Sequence, residues 1–148
     1  MCGQKDDLLY LKHQLCFPLY ACSREVIKLY KPVLDRIGLT YTQYITMLIL
    51  WEYHSLTAKE LGQYLYLDSG TLTPLLKKLE ARGLLTRKRS PLDERSLVVT
   101  ITEAGEQLRH EALSVPAEMD QLPLLNAEER AQLQQLLYKL LDRAAKQE

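Results

Sequence analysis

The chain has 148 residues, 47% of them hydrophobic, with 19 Lys+Arg balanced by 19 Asp+Glu. That is enough for one domain with a real core. A membrane span is excluded because the apolar run Tyr44 to Trp51 stops at Glu52, and the N-terminus lacks a signal peptide's apolar run, so a cytoplasmic protein is expected. The three cysteines, Cys2, Cys16 and Cys22, are an odd number crowded near the N-terminus, which argues against a secreted disulfide framework.

The first predicted element is a long helical pattern from Leu8 to about Leu34, interrupted at Pro18. Cys16 and Tyr20 fall one turn apart on one face of it, and Tyr30 and Tyr41 supply further phenols. Nine Tyr against one Phe is unusual, because a buried phenol needs a hydrogen-bond partner that Phe does not. A thiolate is such a partner. Pro18 fits best in a helix's first turn, and a helix starting there aims its amide dipoles near Cys16 and favours the thiolate. A thiolate flanked by phenols suits attack on a peroxide O–O bond, which leaves a sulfenic acid. An inert buried cysteine is the competing reading.

Gly38 separates this pattern from a second helical stretch, Tyr41 to about Tyr53. Residues 57 to 105 then read as one DNA-binding unit of helix, tight turn, second helix and hairpin. Thr57 and Glu60 form a capping box at the start of its first helix, with Leu61 and Leu65 on the buried face. The turn Leu67-Asp68-Ser69-Gly70 follows, in which Asp68 or Ser69 can cap the next helix. There Leu72, Leu75, Leu76 and Leu79 form an apolar stripe that packs inward. The opposite face offers Ser69, Gly70, Thr71, Thr73 and Pro74 to base edges, and Lys77 and Lys78 to phosphates. Gly83 ends the helix.

Two strand-like runs, Leu85 to Arg89 and Ser96 to Thr102, flank a turn around Pro91 and make a two-stranded wing. The wing carries Arg87, Lys88 and Arg89, with Arg95 at its tip placed for a minor groove and Asp93 expected to steady the guanidinium. Residues 71–102 hold seven basic groups against three acidic, a net of +4, whereas residues 103–148 hold five against nine, a net of −4. The neutral total conceals a dipole that turns the basic unit toward DNA.

After the wing, a helix starts at Thr102 and Glu103 and runs past Leu113 toward Pro116. A second capping box, Asn126 with Glu129, opens a last helix whose Leu133, Leu136, Leu137, Leu140, Leu141 and Ala144 make a stripe with no obvious partner. Helices at about 8–34 and 103–147 therefore suggest a symmetric homodimer, which sets two recognition helices about one DNA turn, roughly 34 Å, apart. The fold class is mainly α with a small β hairpin (α+β), a winged helix-turn-helix domain with N- and C-terminal dimerisation helices.

These segments resemble the multiple antibiotic resistance regulator (MarR) family, and within it the organic hydroperoxide resistance regulators and related staphylococcal redox regulators. The matching residues are Gln14-Leu15-Cys16-Phe17 with Leu19-Tyr20, Tyr30-Lys31-Pro32, Leu39-Thr40-Tyr41, Leu67 to Leu76, and Asp93-Glu94-Arg95-Ser96. The resemblance implies a single MarR-type domain over residues 1–148 and a dimeric repressor whose Cys16 is oxidised by organic hydroperoxide, releasing operator DNA. It also implies that Tyr20 shares a subunit with the cysteine, while the counterparts of Tyr30 and Tyr41 reach it from the other protomer. On a continuous helix, fourteen residues at about 1.5 Å each separate Tyr30 from Cys16 by roughly 21 Å, which agrees with a contact in trans.

Two-cysteine relatives resolve the sulfenic acid with a cysteine in the C-terminal half of the partner, and this chain has none after Cys22. Cys22 is about 9 Å along a helix from Cys16, beyond disulfide reach. A one-cysteine mechanism follows, completed by a low-molecular-weight thiol forming a mixed disulfide, with Cys2 as the other candidate resolver. Two other functions stay open on the residues: a repressor of this fold that responds to a phenolic ligand, and a thiol peroxidase using Cys16. His13, His54 and His110 make no metal-spaced cluster and no cysteine-histidine pair, so no metal, cofactor or enzyme activity is expected.

Overall fold

The computed structural model describes residues 7–147. Two 3₁₀ turns, Asp7–Leu9 and Leu11–His13, precede α1 (Cys16–Ile37), α2 (Tyr41–Tyr53), β1 (Ser55–Thr57), α3 (Ala58–Leu65) and α4 (Ser69–Ala81). The wing strands β2 (Leu85–Arg89) and β3 (Leu97–Ile101) follow, then α5 (Glu103–Ala112), α6 (Ser114–Asp120) and α7 (Ala127–Ala145). The chain divides into two compact units, Met1–Pro116 and Ala117–Glu148. No helix of the described residues is long and apolar enough to cross a membrane.

The core of the first unit gathers around α2. Thr40 and Gln43 close a capping box at its start, and Tyr44, Met47, Leu50 and Trp51 are buried along it. Leu61 of α3, the stripe Leu72, Leu75, Leu76 and Leu79 of α4, and Leu85 and Val99 of the wing complete the interior. Each such leucine contributes roughly 1.5–3 kcal/mol by leaving water. Leu65, expected on the same face as Leu61, is half-buried. The Trp51 indole N–H donates to the Gly105 carbonyl at 2.8 Å, tying α2 to α5. Gly105 itself is needed for close approach, since a Cβ there would stand 2.3 Å from the Leu84 carbonyl oxygen.

The expected hairpin gains a third strand. β1 pairs antiparallel with β3, Ser55 opposite Thr100, so the sheet order is β1-β3-β2. A three-residue segment carries no periodicity of its own; pairing with β3 alone makes it a strand. β2 and β3 form the expected hairpin, with Leu85 opposite Ile101 and Arg89 opposite Leu97.

The first helix begins at Cys16 rather than Leu8. A proline lacks an amide proton and its ring crowds the carbonyl four residues back, costs that vanish in a first turn, so a helix start just before Pro18 is favoured even though α1 carries Pro32 in its interior. Upstream, side chains take over backbone acceptors: Gln14 Nε2 donates to the Leu8 carbonyl at 2.5 Å, and His13 Nδ1 lies 2.6 Å from the Asp7 carbonyl. Likewise the helix expected to run from Thr102 toward Pro116 is two: α5, capped by Thr102, and α6, with Pro116 in its first turn.

Between Cys16 and Leu29, α1 is exposed at every residue but half-buried Ala21. In the second unit α7 opens on the Asn126–Glu129 box, and Arg130 pairs with Asp120 at 2.6 Å. Its stripe stays in solvent, with Leu136 62% and Leu133 45% exposed.

Candidate nucleic-acid interface and thiol site

The helix-turn-helix segment is held by caps at both helix starts. Thr57 and Glu60 bond reciprocally, the Glu60 amide to Thr57 Oγ1 at 3.1 Å and the Thr57 amide to Glu60 Oε2 at 2.8 Å. The Thr57 backbone hydrogen bond holds the Glu60 carboxyl below the usual carboxylate range. Asp68 caps α4: it accepts from the Thr71 amide at 2.9 Å and the Thr71 hydroxyl at 3.1 Å, the amide being the main cause that lowers its own carboxyl. The Thr73 hydroxyl donates to the Ser69 carbonyl at 2.8 Å. Both threonine protons are thus engaged within the helix, leaving oxygen lone pairs facing outward as acceptors. Ser69, Gly70, Pro74, Lys77 and Lys78 are exposed, and neither lysine has an ion pair among the described residues.

The wing is braced against α4 by Arg87. Its Nε and Nη2 donate to Glu80 Oε2 at 3.1 and 2.9 Å, and its backbone amide donates to Glu80 Oε1 at 3.0 Å. This bidentate grip, Arg87's side-chain bonds first, keeps the Glu80 carboxyl low. The Arg87 side chain is 18% exposed, so it differs from its exposed neighbours Lys88 and Arg89, the latter donating from Nη1 to the Glu94 carbonyl at 3.3 Å. At the tip, Asp93 works through the backbone instead of steadying a guanidinium: its Oδ1 accepts from the Arg95 amide at 3.0 Å. An aspartate two residues before an amide reaches it more readily than a long flexible side chain. The Arg95 side chain is free and exposed.

Cys16 is the first residue of α1 and is exposed. Tyr20, one turn on, is also exposed, and its phenol oxygen accepts from Arg24 Nη1 at 2.7 Å. Because α1 is unbroken from Cys16 to Ile37, Tyr30 stands roughly 21 Å along the helix from the thiol. Tyr30 meets Tyr41 instead, their rings edge to face with centroids 5.0 Å apart. Tyr44 completes the cluster, 6.2 Å from Tyr30 and 6.5 Å from Tyr41. Burial first, and then the neighbouring Tyr30, push the Tyr41 phenol up. Cys22 is exposed on α1, and Cys2 lies outside the described residues.

Sequence reasoning missed Tyr44, the Thr40–Gln43 box and Arg82. The box was legible as Thr-x-x-Gln before an apolar run. Tyr44 was hidden in that run, and Arg82, whose guanidinium donates to the Gly38 carbonyl, gave no local signal.

A family model described as transcriptional regulator SarA/Rot matches residues 28–112. The chain is 50% identical over 138 residues to the organic hydroperoxide resistance transcriptional regulator of Bacillus subtilis, covering 93% of this chain and 94% of that one. The chain belongs to the MarR family of winged-helix transcriptional regulators, in its organic hydroperoxide resistance branch. Its fold matches the structure of reduced AbfR bound to DNA at a TM-score of 0.78 and 34% identity, over 95% of this chain and 99% of that one. Overoxidised AbfR bound to DNA matches at 0.74 and 36% identity, over 92% and 98%. As a MarR-family regulator the chain is a DNA-binding protein with a winged-helix fold.

Proposed function

We propose that the protein is a homodimeric repressor that leaves its operator when organic hydroperoxide oxidises Cys16. The observation that carries this reading is the separation of the thiol from its phenols. Cys16 and Tyr20 lie on an exposed stretch of α1, while Tyr30 and Tyr41 cluster at its far end. A two-fold axis between antiparallel copies of α1 would bring Tyr30 and Tyr41 of the partner subunit to Cys16, and the exposed stripe of α7 would be covered in the same assembly. The name of the Bacillus subtilis relative supports an organic hydroperoxide as oxidant.

In the reaction the Cys16 thiolate attacks one peroxide oxygen, an S–O bond forms and the O–O bond breaks. Sulfur is oxidised to the sulfenic acid, and the alkoxide leaves and takes up a proton as an alcohol. A low-molecular-weight thiol then condenses with the sulfenic acid, giving a mixed disulfide and water. Its own protomer leaves Cys16 exposed, so access for both reagents is set by the partner subunit. Catalytic turnover plays no part in this reading.

On DNA, the start of α4 with Ser69, Gly70, Thr71, Thr73 and Pro74 addresses base edges, Lys77, Lys78, Lys88 and Arg89 meet phosphates, and Arg95 enters a minor groove. Arg87 and Asp93 act indirectly, as brace and turn former. The test is a gel shift on the protein's own upstream DNA with and without cumene hydroperoxide. Cys16→Ser should bind DNA like the wild type and stay bound in oxidant, because serine forms no sulfenic acid. Release that persists in Cys16→Ser, or that requires Cys22, would overturn the assignment.

A further inference from the structure

Arg82 stands outside both the DNA-facing residues and the thiol site, yet it joins them. It is the C-cap of α4, and its Nη1 donates to the carbonyl of Gly38, 44 residues earlier, in the turn between α1 and α2. Gly38 has a left-handed backbone with φ of 67°, and a Cβ there would stand 3.0 Å from Arg82 Nη2, so only a glycine leaves the guanidinium its full space. The turn is stiff. The Gly38 amide donates to the Asp35 carbonyl and the Leu39 amide to the Leu34 carbonyl, and Leu39 is buried. Thr40 then caps α2, whose first residue is Tyr41. The tyrosine cluster and the anchor of the recognition helix therefore share one short, hydrogen-bonded piece of backbone.

The other end of α4 is held differently. A cleft of about 280 Å³, lined by Thr40, Thr42, Gln43, Thr71, Pro74 and Lys78, separates the first turns of α4 from the start of α2. Leu72 and Leu75 keep the inner side of α4 packed, so the cleft leaves room only on the side toward α2, next to the end of the helix that meets base edges.

We infer that the Arg82–Gly38 contact is the joint through which the packing of the Tyr30–Tyr41–Tyr44 cluster sets the angle of the recognition helix, making Arg82 a positioning residue for release. The inference rests on the peroxide-sensing reading. Oxidised Cys16 repacks the tyrosines, the turn from Gly38 to Thr40 moves with Tyr41, and the guanidinium carries that displacement to α4. The open cleft gives the helix start room to tilt.

The experiment measures operator affinity by fluorescence anisotropy before and after stoichiometric cumene hydroperoxide, with Cys16 sulfenic acid trapped by dimedone and weighed in the same samples. Arg82→Met should bind the operator like the wild type when reduced and oxidise Cys16 at the same rate, while the reduced-to-oxidised affinity ratio falls by about tenfold, within the usual range of coupling between sites. Arg82→Lys should restore most of the ratio, because an ammonium group also donates to the carbonyl. Gly38→Ala, which keeps Arg82 and crowds its guanidinium, should lower the ratio too and add little on top of Arg82→Met. An unchanged ratio in Arg82→Met overturns the joint, as does a uniform loss of affinity in both states with a shallower salt dependence, which would mark Arg82 as a phosphate contact. Wild-type release without Cys16 oxidation would instead overturn the peroxide reading itself.

Discussion

The winged unit and the terminal helices use the same amphipathic patterns and end in opposite states. In α4, Leu72, Leu76 and Leu79 are at most 3% exposed, covered by α2, α3 and the wing. In α1, Phe17 is 41% exposed, and in α7 Leu136 is 62% exposed, although their stripes are as regular. The difference teaches what periodicity means. A stripe says that a helix face is to be covered; whether its own chain or another does so depends on what the fold brings alongside. The winged unit covers its stripes within one chain, whereas the stripes of α1 and α7 stay exposed in the single protomer.

The largest expected effect tests the first half of that contrast. Leu76→Ala should cost about 2–5 kcal/mol of unfolding free energy in a urea titration followed by circular dichroism, because it leaves a cavity in a closed core. Leu136→Ala should stay within about 0.5 kcal/mol at protein concentrations low enough to keep protomers apart. Equal costs would erase the distinction. Next, Arg95→Ala should weaken operator binding by about 1–3 kcal/mol in the reduced protein, and Lys77→Ala should reduce the slope of log affinity against log salt by about one. Full affinity in both variants would detach the winged unit from DNA.

The exposed stripe of α7 is tested by Leu137→Ala, which should weaken self-association about tenfold in sedimentation equilibrium, or about 1.4 kcal/mol, without loss of helical signal. An unchanged dimer would take α7 out of the interface. The smallest effect concerns acid. Glu60, Asp68 and Glu80 all have carboxyls held low by hydrogen bonds, to Thr57, Thr71 and Arg87 respectively. Lowered pKa values mean that their stabilisation is present above the ordinary carboxylate range, near pH 4, and is lost as pH falls through their folded values. Asp68→Asn keeps an oxygen for the Thr71 amide and loses the charge, so its stability should fall less between pH 5 and 2 than the wild type's. An identical acid limb would remove Asp68 from that linkage.

Much of the winged unit, and the start of α7, was legible because the signals are local. The Thr57–Glu60 and Asn126–Glu129 boxes, the four leucines of α4 and the β-branched run of β3 each act over a few residues, and the structure places each of them as read. β1 was not legible: Ser55 to Thr57 become a strand only because Thr100 and its neighbours are opposite. The residues proposed for redox sensing divide along the same line. Cys16 and Tyr20 were readable as an i, i+4 pair, whereas the packing of Tyr30, Tyr41 and Tyr44 on one another depends on the angle at which α2 returns past α1.

The sequence by itself determined the capped starts of α3, α4, α5 and α7, the leucine stripe, the wing and the spacing between Cys16 and Tyr30, since caps, periodicity and helical rise operate within a turn or two of chain. Tertiary structure decided which charges are free. Arg87 and Arg95 are the same residue type on one basic hairpin, yet Arg87 is clasped by Glu80 and Arg95 projects into solvent. Only the packing of α4 against β2 brings Glu80 within reach of one and not the other, and the packing of the end of α4 beside the α1–α2 turn brings Arg82 to Gly38. Contacts between residues far apart in sequence depend on how whole elements pack, and no local preference encodes that placement.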